Sequence, residues 1–418
     1  MNPQLTTTFV LPQRLLQRCR YPRLTGPEGT VLMVDAGYFI QHECRRAFHA
    51  CGWQTFPVPL YPPEEFVEKL LTAVVVHKPD ILFTINHLGF DVNGLLTELL
   101  ETIEMPVVSW FVDSPAYILL DHTRNATPLA ITPIWERAYE PFLKQFGFQH
   151  TFHLPLAGDP AFMRRESSNQ LKYQISFAGD SMTFAVAKWS GLCTAIPGSG
   201  RLIERAAAEL YHDRRRNPRE IVRELSFSFG IDLAHISREM ELTLSSAIVL
   251  EATRLYRREM VNKLDGFKPD IFGDEGWSEY ASPNANLHGR IDYYTELPDL
   301  YGSTAVNLNN TSLQMPTALN QRVFDAPLSG GFLLTDNQED LGLIFNKSRE
   351  TATFSSPDEL HEKVAFYLAH DSLREKLIDS AREKIVTEHL YAHRIARIIN
   401  LARQLFGNKL IKSAVSAL

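Results

Sequence analysis

Cysteine is scarce in this sequence of 418 residues, and the four present (Cys19, Cys44, Cys51 and Cys193) form no CxxC pair. This spacing excludes a disulfide framework and a zinc site built from thiolates. No segment approaches the length of about 18 consecutive apolar residues that spans a bilayer. The N-terminus also lacks a basic region followed by an apolar stretch. We therefore predict no transmembrane helix and no secretory signal, as expected for a protein of the reducing cytoplasm.

Positive charge is not in excess. The 42 lysine and arginine residues are outnumbered by 49 aspartate and glutamate residues, and the formal net charge is −7. A groove for nucleic acid normally needs a basic excess, so no nucleic-acid partner is predicted. The run Arg214–Arg216 lies in a segment that we predict to be helical, and it fits either a solvated helix face or a contact with an acidic partner. No Asp-x-Asp motif ends a predicted strand, so no metal site is predicted.

What the sequence does contain is a repeated alternation of short apolar runs with amphipathic stretches. Apolar residues make up 44% of the chain and charged residues 22%, the composition of an ordinary globular protein of two domains. Strands that alternate with helices predict parallel, doubly wound sheets of the α/β class. The predicted strands include 30–35, 55–58, 80–86 and 106–113 in the first half and 173–179, 270–273, 291–294, 305–308 and 331–334 in the second.

A segment rich in proline and glycine, Leu154–Pro160, interrupts this alternation and predicts a hinge between the domains. The predicted organisation has four parts: a lead-in at 1–28, a Rossmann-like domain at 29–158, a second Rossmann-like domain at 159–390 and a terminal helix at 391–418. The two domains are expected to face a central cleft. A helical block at 181–264 interrupts the second domain. It is expected either to pack on that domain or to dock an acceptor protein or a second copy of the chain.

The densest group of polar residues follows the predicted strand at 305–308. Asn309, Thr311 and Ser312 end that strand, and a short helix is predicted from Pro316 to Pro327. The free backbone amides of such a helix, with hydroxyls that include Thr317, suit a diphosphate. Arg322 would add a permanent positive charge, and Asp325 would accept hydrogen bonds from a ribose diol. The same residues also fit helix caps and an Arg322–Asp325 ion pair.

Residues 289–400 resemble the C-terminal domain of the CgeB-type glycosyltransferase-like proteins, which have the two-domain GT-B fold. The resemblance lies in "YYTELPDLYGSTAVNLNNTSLQMPTALNQRVFDAPLSGGFLLTD", "FSSPDELHEKVAFYLAHDSLREKLIDSAREKI" and "EHLYAHRIARII". In the last segment His389, Tyr391 and Arg394 take the places of the family's His-x-Tyr-x-x-Arg motif. The segment "ISFAGDS" at 175–181 resembles the first strand and glycine turn of the family's donor domain, and "WFVDSP" is similar in the N-terminal half.

The resemblance implies that the second domain binds a nucleoside-diphosphate sugar, without a bound metal or other cofactor. By this analogy Gly179 lets the backbone approach the phosphates, Arg322 neutralises the leaving diphosphate and Asp325 holds the ribose. Many related transferases have glutamate where this chain has Asp325. The implied function is a hexosyl-type transfer to the hydroxyl of a protein such as an appendage subunit, a glycan precursor or a small molecule. The alternatives are a nucleotide-sugar epimerase or hydrolase and a non-catalytic nucleotide-sugar-binding protein.

The acceptor side is expected at the strand ends of the first domain. A transfer that inverts the sugar's anomeric carbon needs a base to deprotonate the acceptor hydroxyl. Asp113 and His87 each follow an apolar strand, so we predict them as the catalytic candidates. Asp113 also fits a turn cap and His87 a buried structural histidine. Further candidates on this side are Asp35, Gly37, His42 and Asp91.

Overall fold

The computed structural model describes residues 11–119, 122, 124–163 and 171–407. The chain divides into two compact units. The first unit comprises the chain up to Leu156 together with the segment from Tyr391 onward, and the second spans Ala157–Leu390. Each unit has one six-stranded sheet in which all strand pairs are parallel. The prediction of two doubly wound parallel sheets is therefore confirmed.

The sheet of the first unit has the strand order β2-β1-β3-β4-β5-β6. Its central strands β3, β4 and β5 are buried at every position, because helices cover both faces of a doubly wound sheet. This explains why these strands appear in the sequence as continuous apolar runs. The strands are β1 Gly29–Asp35, β2 Trp53–Pro59, β3 Ile81–Ile85, β4 Val107–Trp110, β5 Ala130–Ile134 and β6 His150–His153.

The helices of the first unit include one from the far end of the chain. They are α1 Gln13–Cys19, α2 Gln41–Ala50, α3 Phe66–His77, α4 Leu95–Thr102, α5 Pro115–Ile118, α6 Glu140–Phe146 and α16 Tyr391–Ala402. Helix α16 packs against α2. Its Arg394 is largely buried and donates hydrogen bonds to the backbone oxygens of Pro155 (3.0 Å) and Leu156 (3.2 Å). These bonds tie the terminal helix to the end of the first unit's sheet.

The sheet of the second unit has the order β12-β11-β10-β7-β8-β9. Its strands are β7 Tyr173–Ala178, β8 Asp270–Phe272, β9 Asn286–His288, β10 Thr304–Asn309, β11 Leu333–Asp336 and β12 Ala352–Phe354. The strand predicted at 291–294 is wrong, and the edge strand β9 lies just before it. Asp292 accepts hydrogen bonds from the backbone of Tyr294 and Thr295, which fixes a turn in place of an extended strand.

The helical block between β7 and β8 is part of the core of the second unit. It consists of α7 Thr183–Leu192, α8 Ser199–His212, α9 Pro218–Leu225 and α10 Arg238–Lys263. Helix α10 begins after Ser237, whose hydroxyl accepts from the Met240 amide (3.1 Å) and caps the helix. Apolar residues of α8 and α10 form one buried cluster with β7 and β10. The block therefore packs on the sheet.

Arg214–Arg216 lie in the turn between α8 and α9, so the prediction that they form part of a helix is wrong. Asp213 ends α8 with an extended backbone, and Asn217 caps α9 with its side chain. The guanidinium of Arg214 lies 3.6 Å from the centre of the Tyr256 ring and 3.7 Å from the Asp336 carboxylate. The turn is therefore held by contacts within the second unit.

The remaining helices of the second unit are α11 Leu297–Gly302, α12 Arg322–Leu328, α13 Leu341–Ile344, α14 Pro357–Leu368 and α15 Asp371–Glu388. The helix predicted from Pro316 begins only at Arg322. Thr317 is held outside the helix, because its backbone oxygen accepts from the Asp340 amide (3.1 Å). Its hydroxyl donates to the Asp340 carboxylate (3.4 Å). The expected free amides at Pro316–Thr317 are therefore not a helix start.

Across the part of the chain that the structure describes, none of the helices combines the length and the apolar character needed to span a bilayer.

Gly273 lies where β8 approaches the loop that follows β7. A Cβ atom at Gly273 would lie 2.4 Å from the backbone oxygen of Gly179 and 2.6 Å from Nε1 of Trp277. We expect Gly273→Ala to lower the free energy of unfolding by about 1–3 kcal/mol in urea denaturation. Gly289→Ala is the matched control, since no atom lies within 4 Å of its Cβ position. Equal stability of the two variants would contradict this account.

Candidate functional site

The carboxyl end of β7 carries the glycine expected to approach phosphate. The Gly179 amide donates to the Phe272 oxygen (2.9 Å), and its carbonyl accepts from Trp277 Nε1 (2.8 Å). These two bonds fix the backbone of the loop. A Cβ atom here would lie 3.1 Å from the Phe177 ring and 3.2 Å from Nη2 of Arg322. The absence of a side chain therefore makes room for the guanidinium.

Two arginines converge on this glycine. Arg322 is the first residue of α12 and is partly exposed, whereas Arg257 comes from α10 and is buried. Arg257 donates through Nη1 to the backbone oxygen of Asp180, and its Nε has no partner among the described residues. Burial, and then the charge of Arg322, lower the pKa of Arg257 to about 10. Arg257 is therefore still cationic at neutral pH despite its burial.

The two guanidinium groups lack a direct counter-ion within the described part of the chain. No aspartate or glutamate there forms an ion pair with Arg257 or Arg322 within 4.0 Å. Asp180 and Asp274 favour the charged form of Arg257 only from a distance. Their own side chains are engaged by Arg290, at 3.1 Å and 3.7 Å. Two like charges held together without such a pair form a site that a bound anion would stabilise.

Most polar residues predicted to contact the donor have partners within the protein. Asn309 donates to the Thr335 hydroxyl (2.9 Å), and the Thr311 hydroxyl donates to the Asp336 carboxylate (2.9 Å). The hydroxyl of Ser312 lies 3.4 Å from that of Thr253 on α10, and Thr317 bonds Asp340 as described above. These contacts hold the loop that follows β10 against its neighbours.

Asp325 lies one turn into α12 and is 1% exposed. Its carboxylate accepts a hydrogen bond from the Tyr293 hydroxyl (2.7 Å). This hydrogen bond connects the turn at 293–296 to α12. The Arg322–Asp325 ion pair that the sequence allowed is not formed: Arg322 lies beside Gly179 and near Tyr301.

In the first unit, three residues from neighbouring strand ends form a hydrogen-bonded cluster. Tyr38, Asn86 and Asp113 follow β1, β3 and β4, which are adjacent in the sheet. The Tyr38 hydroxyl and the Asn86 amide (2.8 Å) both donate to Oδ2 of Asp113. Oδ1 accepts no hydrogen bond from any residue that the structure describes. Burial raises the pKa of Asp113, although the two donors oppose the shift.

Asn86 also fixes the backbone at this edge. Its Oδ1 accepts from the amides of Val112 (2.8 Å) and Asp113 (3.1 Å). Asn86 itself has a positive φ of 51°, a conformation that asparagine tolerates better than most residues. One side chain therefore positions both the backbone and the carboxylate of Asp113.

His87, the other predicted catalytic residue, lies in the interior. It is 2% exposed, stacks on Phe90 with ring centres 3.9 Å apart and pairs through Nδ1 with the Ser109 hydroxyl (3.0 Å). Its Nε2 has no partner among the described residues. Burial, and then nearby His122, lower the pKa of His87 to about 3. This surrounding fits the structural role that the sequence left open for His87.

The remaining acceptor-side candidates lie apart from the Asp113 cluster. Asp91 caps α4, because its carboxylate accepts from the amides of Leu95 (3.1 Å) and Leu96 (2.8 Å), which lowers its pKa against the effect of burial. Asp35 is exposed and accepts from the Gly37 amide (3.2 Å). His42 is an exposed residue of α2. The structure brings none of these into hydrogen-bond contact with Asp113.

Sequence reasoning missed Arg257, Tyr38 and Asn86. Arg257 lies in the middle of a long helix, where nothing in the local spacing distinguishes it from other arginines of α10. Tyr38 and Asn86 offered a weak signal, because each lies within three residues of a strand's carboxyl end. Such a position is where open parallel sheets place ligand-binding residues.

Part of the chain matches a known protein family. Residues 254–400 match the family model of glycosyl transferase-like proteins, a segment that contains Arg257, Arg322 and Asp325. No curated protein sequence matches the chain significantly.

Several solved structures have the same fold. A sucrose-phosphate synthase from Thermosynechococcus elongatus has a TM-score of 0.54 and 10% identity, covering 90% of this chain and 99% of that one. An α-glucosyltransferase in complex with UDP-glucose and DNA containing an abasic site has a TM-score of 0.53 and 11% identity, with the same coverage. At this identity the likeness establishes the fold, which confirms the predicted GT-B class. The family match supports a glycosyltransferase, and neither the fold nor the family match favours an epimerase, a hydrolase or a non-catalytic binding protein.

The environment of His87 predicts a pH dependence of stability. Its pKa is about 3 in the folded protein and near 6.5 in the unfolded chain, so the unfolded chain binds the proton first as the pH falls. We expect the free energy of unfolding to decrease between about pH 7 and pH 5. In His87→Asn, which suits the positive φ at this position, urea denaturation should show a shallower decrease. Parallel pH profiles for the two proteins would show that His87 is not the cause.

Proposed function

We propose that this protein transfers a sugar from a nucleoside-diphosphate sugar to an acceptor hydroxyl. The observation that supports this most directly is the convergence of Arg257 and Arg322 on Gly179 at the carboxyl end of a parallel sheet. A diphosphate supplies the negative charge that these two cations lack, and open α/β sheets bind ligands at this edge. Both arginines lie in the segment that matches the glycosyltransferase-like family.

The chemical role of the arginines follows from the leaving group. As the bond between the sugar and the diphosphate breaks, negative charge accumulates on the departing oxygen. Fixed donors that already face this position stabilise the developing charge without reorganising. We propose that the guanidinium groups of Arg257 and Arg322 have this role and that the enzyme has no resident cofactor. Removing one such donor typically costs about 2.7–4 kcal/mol of transition-state stabilisation.

On the acceptor side, we propose Asp113 as the base. Tyr38 and Asn86 both occupy Oδ2, which leaves Oδ1 to receive the proton of the acceptor hydroxyl. A raised pKa makes the carboxylate a better base than an exposed aspartate. The acceptor oxygen then attacks the anomeric carbon from the side opposite the diphosphate, so the configuration inverts.

Within the glycosyltransferases we propose a CgeB-type protein. The support is the sequence motif His389, Tyr391 and Arg394 together with the segment that begins at Tyr293. In this assignment the acceptor is a protein such as an appendage subunit and the transfer takes place in the cytoplasm. The helical block at 181–264 is the proposed surface for pairing of two copies of the chain.

The donor site is tested by Arg322→Ala. Loss of a charge-assisted contact is expected to raise the Kd of the nucleoside diphosphate that binds the wild-type protein by about 10- to 100-fold. Isothermal titration with the diphosphates of uridine, guanosine, adenosine, cytidine and thymidine measures this. Arg205→Ala on the exposed side of α8 is the matched control and should bind as the wild type does. If none of the five diphosphates binds the wild-type protein, the proposed function is wrong.

The base is tested by Asp113→Asn, which keeps the size of the side chain. We expect kcat to fall by about 10²- to 10⁴-fold with little change in donor affinity. Because the base acts in its deprotonated form and its pKa is raised, the wild-type rate should fall as the pH drops through a value above 3.8. Glu101→Gln, an exposed change on α4, serves as the control. An unchanged kcat in Asp113→Asn would exclude this role.

A further inference from the structure

Asn310 is a buried amide without a hydrogen-bond partner. It follows directly after β10 and is 1% exposed. Neither its side-chain oxygen nor its side-chain nitrogen has a partner among the described residues. Its neighbours Asn309 and Thr311 are both hydrogen-bonded within the protein. Burying an amide in this way is unfavourable unless something else completes its bonds.

The strand register places Asn310 beside the proposed donor site. Leu308 of β10 is paired with Phe177 of β7, so Asn310 and Gly179 each lie just beyond the carboxyl end of one of two neighbouring strands. The loop that follows Asn310 contacts α10, because the Ser312 hydroxyl lies 3.4 Å from that of Thr253. Leu308 belongs to the cluster that α10 covers, and α10 is the helix that carries Arg257.

The chemistry of the amide differs from that of the two arginines. A guanidinium only donates hydrogen bonds, which suits phosphate oxygens. The Asn310 side chain has two N–H donors and an oxygen that must accept. A diphosphate at neutral pH has acceptors but almost no donors, so it cannot satisfy that oxygen. A hydroxyl group both donates and accepts, and the donor's sugar carries several hydroxyls next to the phosphate to which it is bonded.

We infer that Asn310 binds a hydroxyl of the transferred sugar and thereby sets the affinity for the sugar half of the donor. This inference rests on the proposed function and adds to it a residue that distinguishes the nucleotide sugar from the nucleotide alone. The arginines hold the diphosphate that both ligands share. Asn310 contacts only the group that is transferred.

The test compares the two ligands in one variant. Asn310→Leu replaces the amide with an apolar side chain of similar size. The ligands are the nucleoside diphosphate that binds the wild type and whichever of its glucose, galactose and N-acetylglucosamine conjugates binds the wild type best. In the variant, the Kd of the nucleoside diphosphate is expected to change less than about twofold. The Kd of the sugar conjugate is expected to rise about tenfold. Isothermal titration on the full chain measures both. Asn284→Leu, an exposed amide of the same unit, is the matched control.

Stability without ligand provides an independent measurement. Removing an unsatisfied amide should leave the melting temperature of Asn310→Leu equal to that of the wild type or higher. A clear fall in melting temperature would mean that the amide is satisfied within the protein, and the inference would then be wrong. If the leucine variant does not fold, Asn310→Ala removes the amide with a smaller apolar side chain and allows the same comparison of the two ligands.

The possible results distinguish a failure of the proposed function from a failure of the role of Asn310. If the wild type binds no nucleoside diphosphate, both the proposed function and the role of Asn310 are wrong. If the diphosphate binds and Asn310→Leu weakens it as much as it weakens the nucleotide sugar, Asn310 contacts the shared nucleotide and the sugar role is excluded. If neither ligand is affected, Asn310 contacts no part of the donor. Weaker binding of the nucleotide sugar, with unchanged binding of the nucleoside diphosphate, supports the inference.

Discussion

The second unit depends on holding two guanidinium groups close together at one glycine. Like charges repel, and burial adds a further cost for Arg257. The protein holds this arrangement through the packing of α10 on β7 and β10 and through the backbone oxygen of Asp180. Gly179 gives the Arg322 guanidinium room, because a Cβ atom there would lie 3.2 Å from its Nη2. The diphosphate proposed as ligand would relieve this repulsion.

In the first unit, the hydrogen-bonded cluster of Tyr38, Asn86 and Asp113 lies at the carboxyl ends of the strands. Burial raises the pKa of Asp113, the proposed base, and its Oδ1 accepts no hydrogen bond from the residues that the structure describes. Asn86 accepts from the amides of Val112 and Asp113 and donates to Oδ2 of Asp113, and Tyr38 adds a second donor to the same oxygen. The two neutral donors fix the orientation of the carboxylate while burial keeps its pKa raised.

In the loop after β10, most polar side chains form hydrogen bonds within the protein. Asn309, Thr311 and Thr317 look like ligand contacts in the sequence, yet their side chains bond Thr335, Asp336 and Asp340. Such bonds are needed because a loop at a sheet edge must satisfy its buried polar groups. Asn310 differs from these residues, because neither its side-chain oxygen nor its side-chain nitrogen has a partner among the residues that the structure describes.

The sequence by itself determined both parallel sheets, because strands buried on two faces must be continuous apolar runs and amphipathic helices must separate them. It also determined that Gly179 and Asp113 follow the carboxyl ends of strands, whereas the helix expected from Pro316 begins only at Arg322. Only the tertiary structure decided which polar groups meet. Arg257 bonds the backbone oxygen of Asp180 from 77 positions further along the chain, and His87 packs among aromatic rings. Hydrogen bonds between distant segments depend on packing, which leaves no local pattern in the sequence.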